Sequence, residues 1–281
     1  MGKVYGNVVL VTGASSGIGK SIAEYLAKEG YRVYGTSRNR QLENDGVSFY
    51  RGGKGGGFLK IINLDVCSEE SIKKAVDYIV AKEGAINILI NNAGFGIAGA
   101  VEDTSPEEAY KQFDTNFFGV HRMCRSVLPI MRRQKKGLIV NIGSVAGLVS
   151  IPFQSMYSAS KYAIEALTEA LRIEVKPFGI RVVVVEPGDT KTGFTGNRQF
   201  VKGSGDSSAY KGRFEKSIGT MVKSEMNGTD PEAIAKAVTR LTYRKRPPVR
   251  VVVGFSYKLI ALLKRILPSR LVEFAVSKIY S

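Results

Sequence analysis

Tyr157 and Lys161 stand four residues apart in the run Tyr-Ser-Ala-Ser-Lys, a spacing that puts a phenol and an ammonium on one face of a helix. A free tyrosine titrates near pH ~10 and is a poor base at neutrality, but a cation beside it stabilises the phenolate and lowers that value. The pair is a candidate device for giving and taking a proton. Ser144 follows a strand-like run and offers a hydroxyl able to polarise a carbonyl. Nearer the start, Thr12-Gly-Ala-Ser-Ser-Gly-Ile-Gly19 sets Gly13, Gly17 and Gly19 between a strand and a helix. Glycines there let the backbone turn tightly and approach a pyrophosphate, whose charge the helix N-terminus favours. At the end of the next strand, where a carboxylate would accept a ribose 2′-hydroxyl, Ser37 and Arg38 occur instead. A guanidinium pairs with a 2′-phosphate, so this point favours NADP(H) over NAD(H). Taken singly, each feature has a plain structural reading as a surface helix pair, a tight turn, a serine cap or a solvated arginine.

The elements that must hold these groups follow from the pattern of apolar residues. Residues 8–12 form a β-branched run, and Ile18, Ile22, Ala23 and Leu26 then recur at helical spacing up to Gly30. The unit repeats. Strands are predicted over 32–36, 60–64, 86–91, 138–142, 181–186 and 249–253. Helices are predicted after Ser68, over 106–133 and 154–176, and from Pro231 to about 243 with Asp230 as N-cap. The strands are continuously apolar, as expected when helices cover both faces. The predicted fold class is α/β: a Rossmann-type, doubly wound parallel sheet in three αβα layers, forming one domain over 1–281. Two stretches interrupt it. Residues 51–57 (RGGKGGG) lack the spacing of a phosphate loop and read as a flexible surface loop. Residues 191–227 are polar and rich in Gly, Ser and Lys, with a short helix near 214–226, and read as a lid over the substrate.

Composition removes several classes of function. The 281 residues are 44% hydrophobic and 23% charged, which provides a large core and argues against disorder. A single histidine, His121, excludes His-based triads and two-His zinc sites. Cys67 and Cys124 supply neither a metal cage nor a disulfide scaffold, so no metal site is expected. The N-terminal residues run straight into a strand without a leader, and no apolar run reaches the ~18 residues of a membrane span. The expected location is cytoplasmic. The formal charge is +16, and residues 191–281 hold 18 basic against 6 acidic side chains. That concentration calls for an anionic partner, although no nucleic-acid module is apparent.

The combination is what carries weight. The glycine turn, Asn91-Asn-Ala-Gly94, Asn116, Ser144, Tyr157, Lys161 and Pro187-Gly188 occur in this order, and together they resemble the short-chain dehydrogenase/reductase superfamily over about residues 5–254. The segment 157–179 is similar to its hydroxysteroid and retinol dehydrogenase branch. The resemblance implies a seven-stranded Rossmann sheet. It implies that the turn with Gly13, Ser15, Ser16, Gly17, Ile18 and Gly19 holds a cofactor pyrophosphate, and that Asp65 and Val66 contact the adenine. Asn92, Ala93 and Gly94 would line the cofactor channel, and Pro187, Gly188, Thr190 and Thr192 would hold the nicotinamide carboxamide. Tyr157 matches the acid/base, Ser144 the polarising serine, Lys161 the ribose-binding lysine and Asn116 the asparagine that supports a proton-relay water.

The resemblance places the substrate beside Phe95, Val145, Val149, Phe153 and Phe194. These are apolar, and a lipophilic ketone, aldehyde or alcohol is expected, interconverted by hydride transfer. A 3-oxoacyl thioester reductase and a non-catalytic dinucleotide sensor remain as alternatives. Family members commonly pair through the helices matching 106–133 and 154–176, which implies a homo-oligomer. Residues 256–281 extend the fold as a basic amphipathic segment. Such a segment fits a membrane surface as a peripheral contact, a cover over the substrate pocket, or a partner subunit.

Overall fold

A computed structural model describes residues 2–38 and 56–280; most of the glycine-rich loop, 51–55, lies outside the described residues. The chain begins with β1 (Val8–Val11), α1 (Gly17–Lys28), β2 (Arg32–Ser37), β3 (Phe58–Asn63), α2 (Glu69–Glu83), β4 (Ile88–Asn91) and the two-residue β5 (Ile97–Ala98). There follow α3 (Pro106–Phe113), α4 (Gly119–Arg133), β6 (Gly137–Ile142), α5 (Ser155–Glu174) and β7 (Ile180–Pro187). Beyond these come α6 (Phe194–Asn197), β8 (Gln199–Phe200), α7 (Lys211–Met226), α8 (Pro231–Thr242), β9 (Arg250–Val253), α9 (Phe255–Ile266) and α10 (Ser269–Tyr280). Seven strands form one sheet in the order β3-β2-β1-β4-β6-β7-β9, with every pairing parallel.

Alternation along each strand builds two cores. Val8 and Leu10 of β1 join Ile72, Ile79, Met123, Val127, Ile164 and Val184 on the side covered by α2, α4 and α5. Val9 and Val11 join Ile22, Leu26, Ile88, Val140, Ile234 and Val238 on the side covered by α1 and α8. Both faces are dry, which explains why the strands lack a polar face. Helix starts agree with the residues that announce them. Ser68 caps α2 by accepting from the Ser71 N–H at 3.2 Å. Asp230 caps α8 by accepting from Glu232 N–H at 2.7 Å, with Pro231 in the first turn. At the sheet's edge Arg250 reaches from β9 to Glu186 on β7 (2.9 Å) and to Glu165 on α5 (2.8 Å), tying the last strand to the helix that carries Tyr157.

Two predicted elements are divided. The helix expected over 106–133 contains a π-helical turn at Asp114–Phe118 between α3 and α4, because one residue too many is accommodated there by i→i+5 bonding. The C-terminal segment is a hairpin of two helices, since Pro268 lies in the break between α9 and α10 and cannot continue a helix. Within 191–227 the helix is longer than expected, beginning at Lys211. The two-residue strands β5 and β8 pair in parallel and attach this region to the end of β4.

Strand order reverses between β1 and β4, and their carboxyl ends are stitched by one buried hydroxyl. Thr12 Oγ1 accepts from the Asn92 and Ala93 N–H groups at 2.9 and 3.0 Å and donates to Ile90 O at 3.4 Å. Replacing it by valine keeps the shape and strands both amides. We expect Thr12→Val to lower the unfolding free energy by about 2 kcal/mol in urea titrations, with the denaturant slope unchanged.

Candidate active site

A cavity of about 710 Å³ opens along the carboxyl ends of the strands, where the crevice of a doubly wound sheet is expected. At one end the β1–α1 turn forms its wall through Gly13, Ser15, Ser16, Gly17 and Ile18. Gly13 and Gly17 have φ of +65° and +55°, in the left-handed region that side chains disfavour. A Cβ on Gly13 would also lie 2.9 Å from Ala93 Cα. Ser16, the N-cap of α1, makes no side-chain cap bond, and the first turn of α1 contains no acidic residue. Free amides and an unopposed helix dipole are thus presented where an anion would sit. Gly19 is different: it lies off the wall, and a Cβ there would come within 2.2 Å of Gly13 O and 2.3 Å of Asn92 Nδ2. Its smallness lets α1 approach the sheet. Ser37, Arg38, Asp65 and Val66 continue the wall from β2 and β3, Asn92, Ala93 and Gly94 from β4, and Pro187, Gly188, Thr190 and Thr192 from β7. An anion seat, a guanidinium and a long channel fit an extended dinucleotide.

The groups expected to react stand between β6 and α5. Ser144 follows β6 with extended backbone, and its Oγ accepts from Ala146 N–H at 3.1 Å, opening a short 3₁₀ turn. The same side chain hydrogen-bonds Tyr157, which projects from the first turn of α5. Lys161, one turn on, donates from Nζ to Ile142 O at 2.9 Å and lies 5.7 Å from the centre of the Tyr157 ring. Burial pushes the Tyr157 phenol up to about 12, with the Ser144 bond opposing it. Burial likewise pulls the Lys161 ammonium down to about 8, with the Glu165 carboxylate opposing it. The spacing alone predicts a tyrosine made more acidic by its lysine. In the structure burial outweighs that effect, and the ammonium, itself desolvated, donates to the Ile142 carbonyl from beside the ring.

Asn116 lies behind the wall, on the π-helical turn, and both ends of its amide are used. Its Oδ1 accepts from Phe95 N–H at 3.1 Å, while Nδ2 donates to Phe95 O at 3.0 Å and Ser160 Oγ at 3.2 Å. It fixes the backbone leaving β4 against α5. Of the expected substrate residues, Phe95, Val145, Val149 and Phe194 line the cavity, and Phe194 packs on Tyr157 with ring centres 5.6 Å apart. Phe153 does not line it. Its backbone lies at φ +61°, and its ring turns to Phe214 of α7 at 5.8 Å. A left-handed backbone at a phenylalanine gives no sequence signal.

Several wall residues escape sequence reasoning. Asp189 and Glu225 bring carboxylates to the cavity. Asp189 accepts from Tyr257 OH at 3.0 Å and Ser224 Oγ at 2.5 Å. Glu225 accepts from Thr195 Oγ1 at 2.5 Å and pairs with Arg198, whose side chain is buried. The far wall comes from the C-terminal hairpin, including Tyr257, Ile260, Leu263, Leu267, Val276 and Tyr280. The Tyr257 ring sits against Gly188, where a Cβ would meet it at 2.2 Å. Amphipathicity marks these helices as surface-seeking, but the face that turns inward depends on the bend at Pro268.

Comparison with known proteins agrees with this geometry. The family model described as short chain dehydrogenase matches residues 7–200. The chain is 42% identical over 275 residues to 3-ketodihydrosphingosine reductase of Bacteroides thetaiotaomicron, covering 98% of each chain. It is 34% identical to retinol dehydrogenase 8 of Bos taurus, covering 93% of this chain and 86% of that one. Among solved structures, a short-chain dehydrogenase from Streptomyces avermitilis superposes with a TM-score of 0.79 at 33% identity, covering 97% of both chains. No helix among the described residues is long and apolar enough to cross a membrane. The chain belongs to the short-chain dehydrogenase/reductase family of oxidoreductases, which bind nicotinamide dinucleotides.

Proposed function

We propose that this chain is an NADP(H)-dependent reductase of a long-chain ketone, with an amino ketone of the 3-ketodihydrosphingosine type as its substrate class. One observation carries this reading: a phenol, a serine hydroxyl and an ammonium close one end of a cavity whose far wall, contributed by α9 and α10, is mostly apolar. The likeness to 3-ketodihydrosphingosine reductase over nearly the whole chain supports the substrate class. The Asp189 carboxylate, with only one of its oxygens bonded by side chains among the described residues, also suits a substrate that carries an amino group beside its carbonyl.

The bound nicotinamide dinucleotide supplies the hydride. The protein's part is position and a proton. Ser144 Oγ accepts from Ala146 N–H, and its hydroxyl hydrogen, shared with Tyr157, turns to the ketone oxygen when substrate enters. Tyr157, held protonated by burial, gives its proton to that oxygen as charge develops on it. The Lys161 ammonium stabilises the phenolate left behind, and Asn116 acts as a positioning residue through the Phe95 backbone. The segment 191–227 serves as a lid, since Thr192, Phe194, Asn197 and Glu225 wall the cavity. Exposed Phe118 in the π-helical turn before α4, with Tyr162 and Ile173 on α5, supports pairing of two copies through the 106–133 segment and α5.

Three measurements test this reading. Spectrophotometric NADPH oxidation should be fastest with 3-ketodihydrosphingosine when retinal and a 3-oxoacyl thioester are run beside it, and Tyr157→Phe should lower kcat by about 10²–10⁴-fold. No turnover with any of the three carbonyl compounds would overturn the enzyme reading. Arg38 is exposed at the cavity wall; Arg38→Ala should raise the NADPH KM by about ten- to a hundredfold, as loss of a charged hydrogen bond predicts, and leave the NADH KM nearly unchanged. The pH profile follows from the shifts at the two groups. Tyr157 keeps its proton through neutral and mildly alkaline pH, whereas Lys161 loses its charge above about 8. Reductive kcat/KM should therefore be level below that point and fall as pH rises through it; a profile level to pH ~10 would contradict the assignment.

A further inference from the structure

The C-terminal hairpin has a second face that the cavity does not use. On α9, Ile260, Leu263 and Leu267 turn to the cavity, while Phe255, Leu259, Leu262 and Ile266 recur at intervals of four, three and four residues along the other side. None of these four lines the cavity, and Phe255 and Ile266 are 87% and 66% exposed. Leu271 and Phe274 extend the apolar surface onto α10, and neither helix has a buried residue. So long an apolar stripe in open water marks a site of contact.

Its charge says with what. Lys258 and Arg265 lie about a quarter-turn from the α9 stripe, and Arg270 and Lys278 flank Phe274, with Lys278 Nζ 5.6 Å from its ring centre. All four are exposed, and none is in an ion pair among the described residues. Between residues 255 and 280 there are five basic side chains and one acidic, Glu273. A second copy of the chain would bring the same positive surplus against itself in a two-fold contact. An anionic lipid surface meets both the stripe and the charge. At 12 residues each, the helices are too short to span a bilayer and suited to lie in its headgroup plane.

We propose that the outer face of the α9–α10 hairpin docks on an anionic phospholipid bilayer, its apolar stripe turned to the acyl chains and Lys258, Arg265, Arg270 and Lys278 set on lipid phosphates. The inner face of the same hairpin is a wall of the cavity, so docking places the cavity beside the lipid phase. The docking rests on the hairpin's surface and holds whichever ketone the site accepts.

Flotation of the full chain through a density gradient tests it, with vesicles of phosphatidylcholine alone and of equimolar phosphatidylcholine and phosphatidylglycerol at low salt. The chain should rise with the anionic vesicles and bind phosphatidylcholine at least about tenfold more weakly. Lys258→Glu combined with Arg265→Glu should reduce partitioning to anionic vesicles by at least about tenfold. Phe255→Ser, Leu262→Ser and Ile266→Ser together should abolish flotation while the thermal midpoint stays within a few degrees of wild type. The proposal is overturned if the wild-type chain stays at the bottom with anionic vesicles, or if the charge-reversed pair floats undiminished. It is equally overturned if the serine variant only converts a vesicle-free oligomer to monomer, which would assign this face to a second copy. Because the charge pair alters exposed side chains alone, it decides the matter even if the serine variant fails to fold.

Discussion

A parallel sheet covered by helices on both faces leaves its carboxyl edge as the place where backbone polar groups meet a ligand, and the rest of this molecule is arranged around that constraint. Val9 and Val11 face one core while Val8 and Leu10 face the other, so β1 has no side free for chemistry along its length. Strand order then reverses between β1 and β4, the chains diverge after Thr12 and Asn91, and a crevice opens. The Thr12 hydroxyl holds the two strand ends at a fixed separation. The glycine turn, the bare N-terminus of α1 and the Asn92-Ala93-Gly94 run all take their places from that junction.

Desolvation governs the Tyr157 end of the cavity. It opposes charge on both Tyr157 and Lys161, raising the first and lowering the second, so the phenol keeps its proton and the amine is a weakly held cation. Glu165 partly compensates the amine. Arg250, bridging Glu165 and Glu186, keeps that carboxylate in place from the far edge of the sheet. The chemistry of α5 is thus linked to β9 through buried ionic contacts that leave the cavity wall free.

The C-terminal hairpin shows how one amphipathic segment meets two demands. Its inner residues complete the cavity, its outer residues remain in solvent, and the sharp break at Pro268 brings both helices to the same mouth. Tyr257 against Gly188 and its bond to Asp189 anchor the hairpin to the end of β7. Access to the site and the fate of the exposed stripe are therefore features of a single element.

Local chemistry alone makes much of this legible. The seven-stranded parallel sheet follows from continuous apolar runs, because a strand buried on both faces cannot alternate. The caps at Ser68 and Asp230 and the turn at Gly13 and Gly17 follow from residues whose backbone preferences leave few alternatives. The tyrosine–lysine spacing puts both groups on one helical face before any tertiary contact is known. Only the folded chain decided the rest, since it depends on contacts between residues distant in sequence. Burial, more than any neighbouring cation, sets the Tyr157 phenol, and a π-helical turn sends Asn116 to the Phe95 backbone. A left-handed Phe153 aims its ring at α7 instead of the cavity, and Asp189, Glu225 and the inner face of the hairpin reach the site through folding alone. Periodicity tells that a helix has two faces; the packing around it determines which one turns inward.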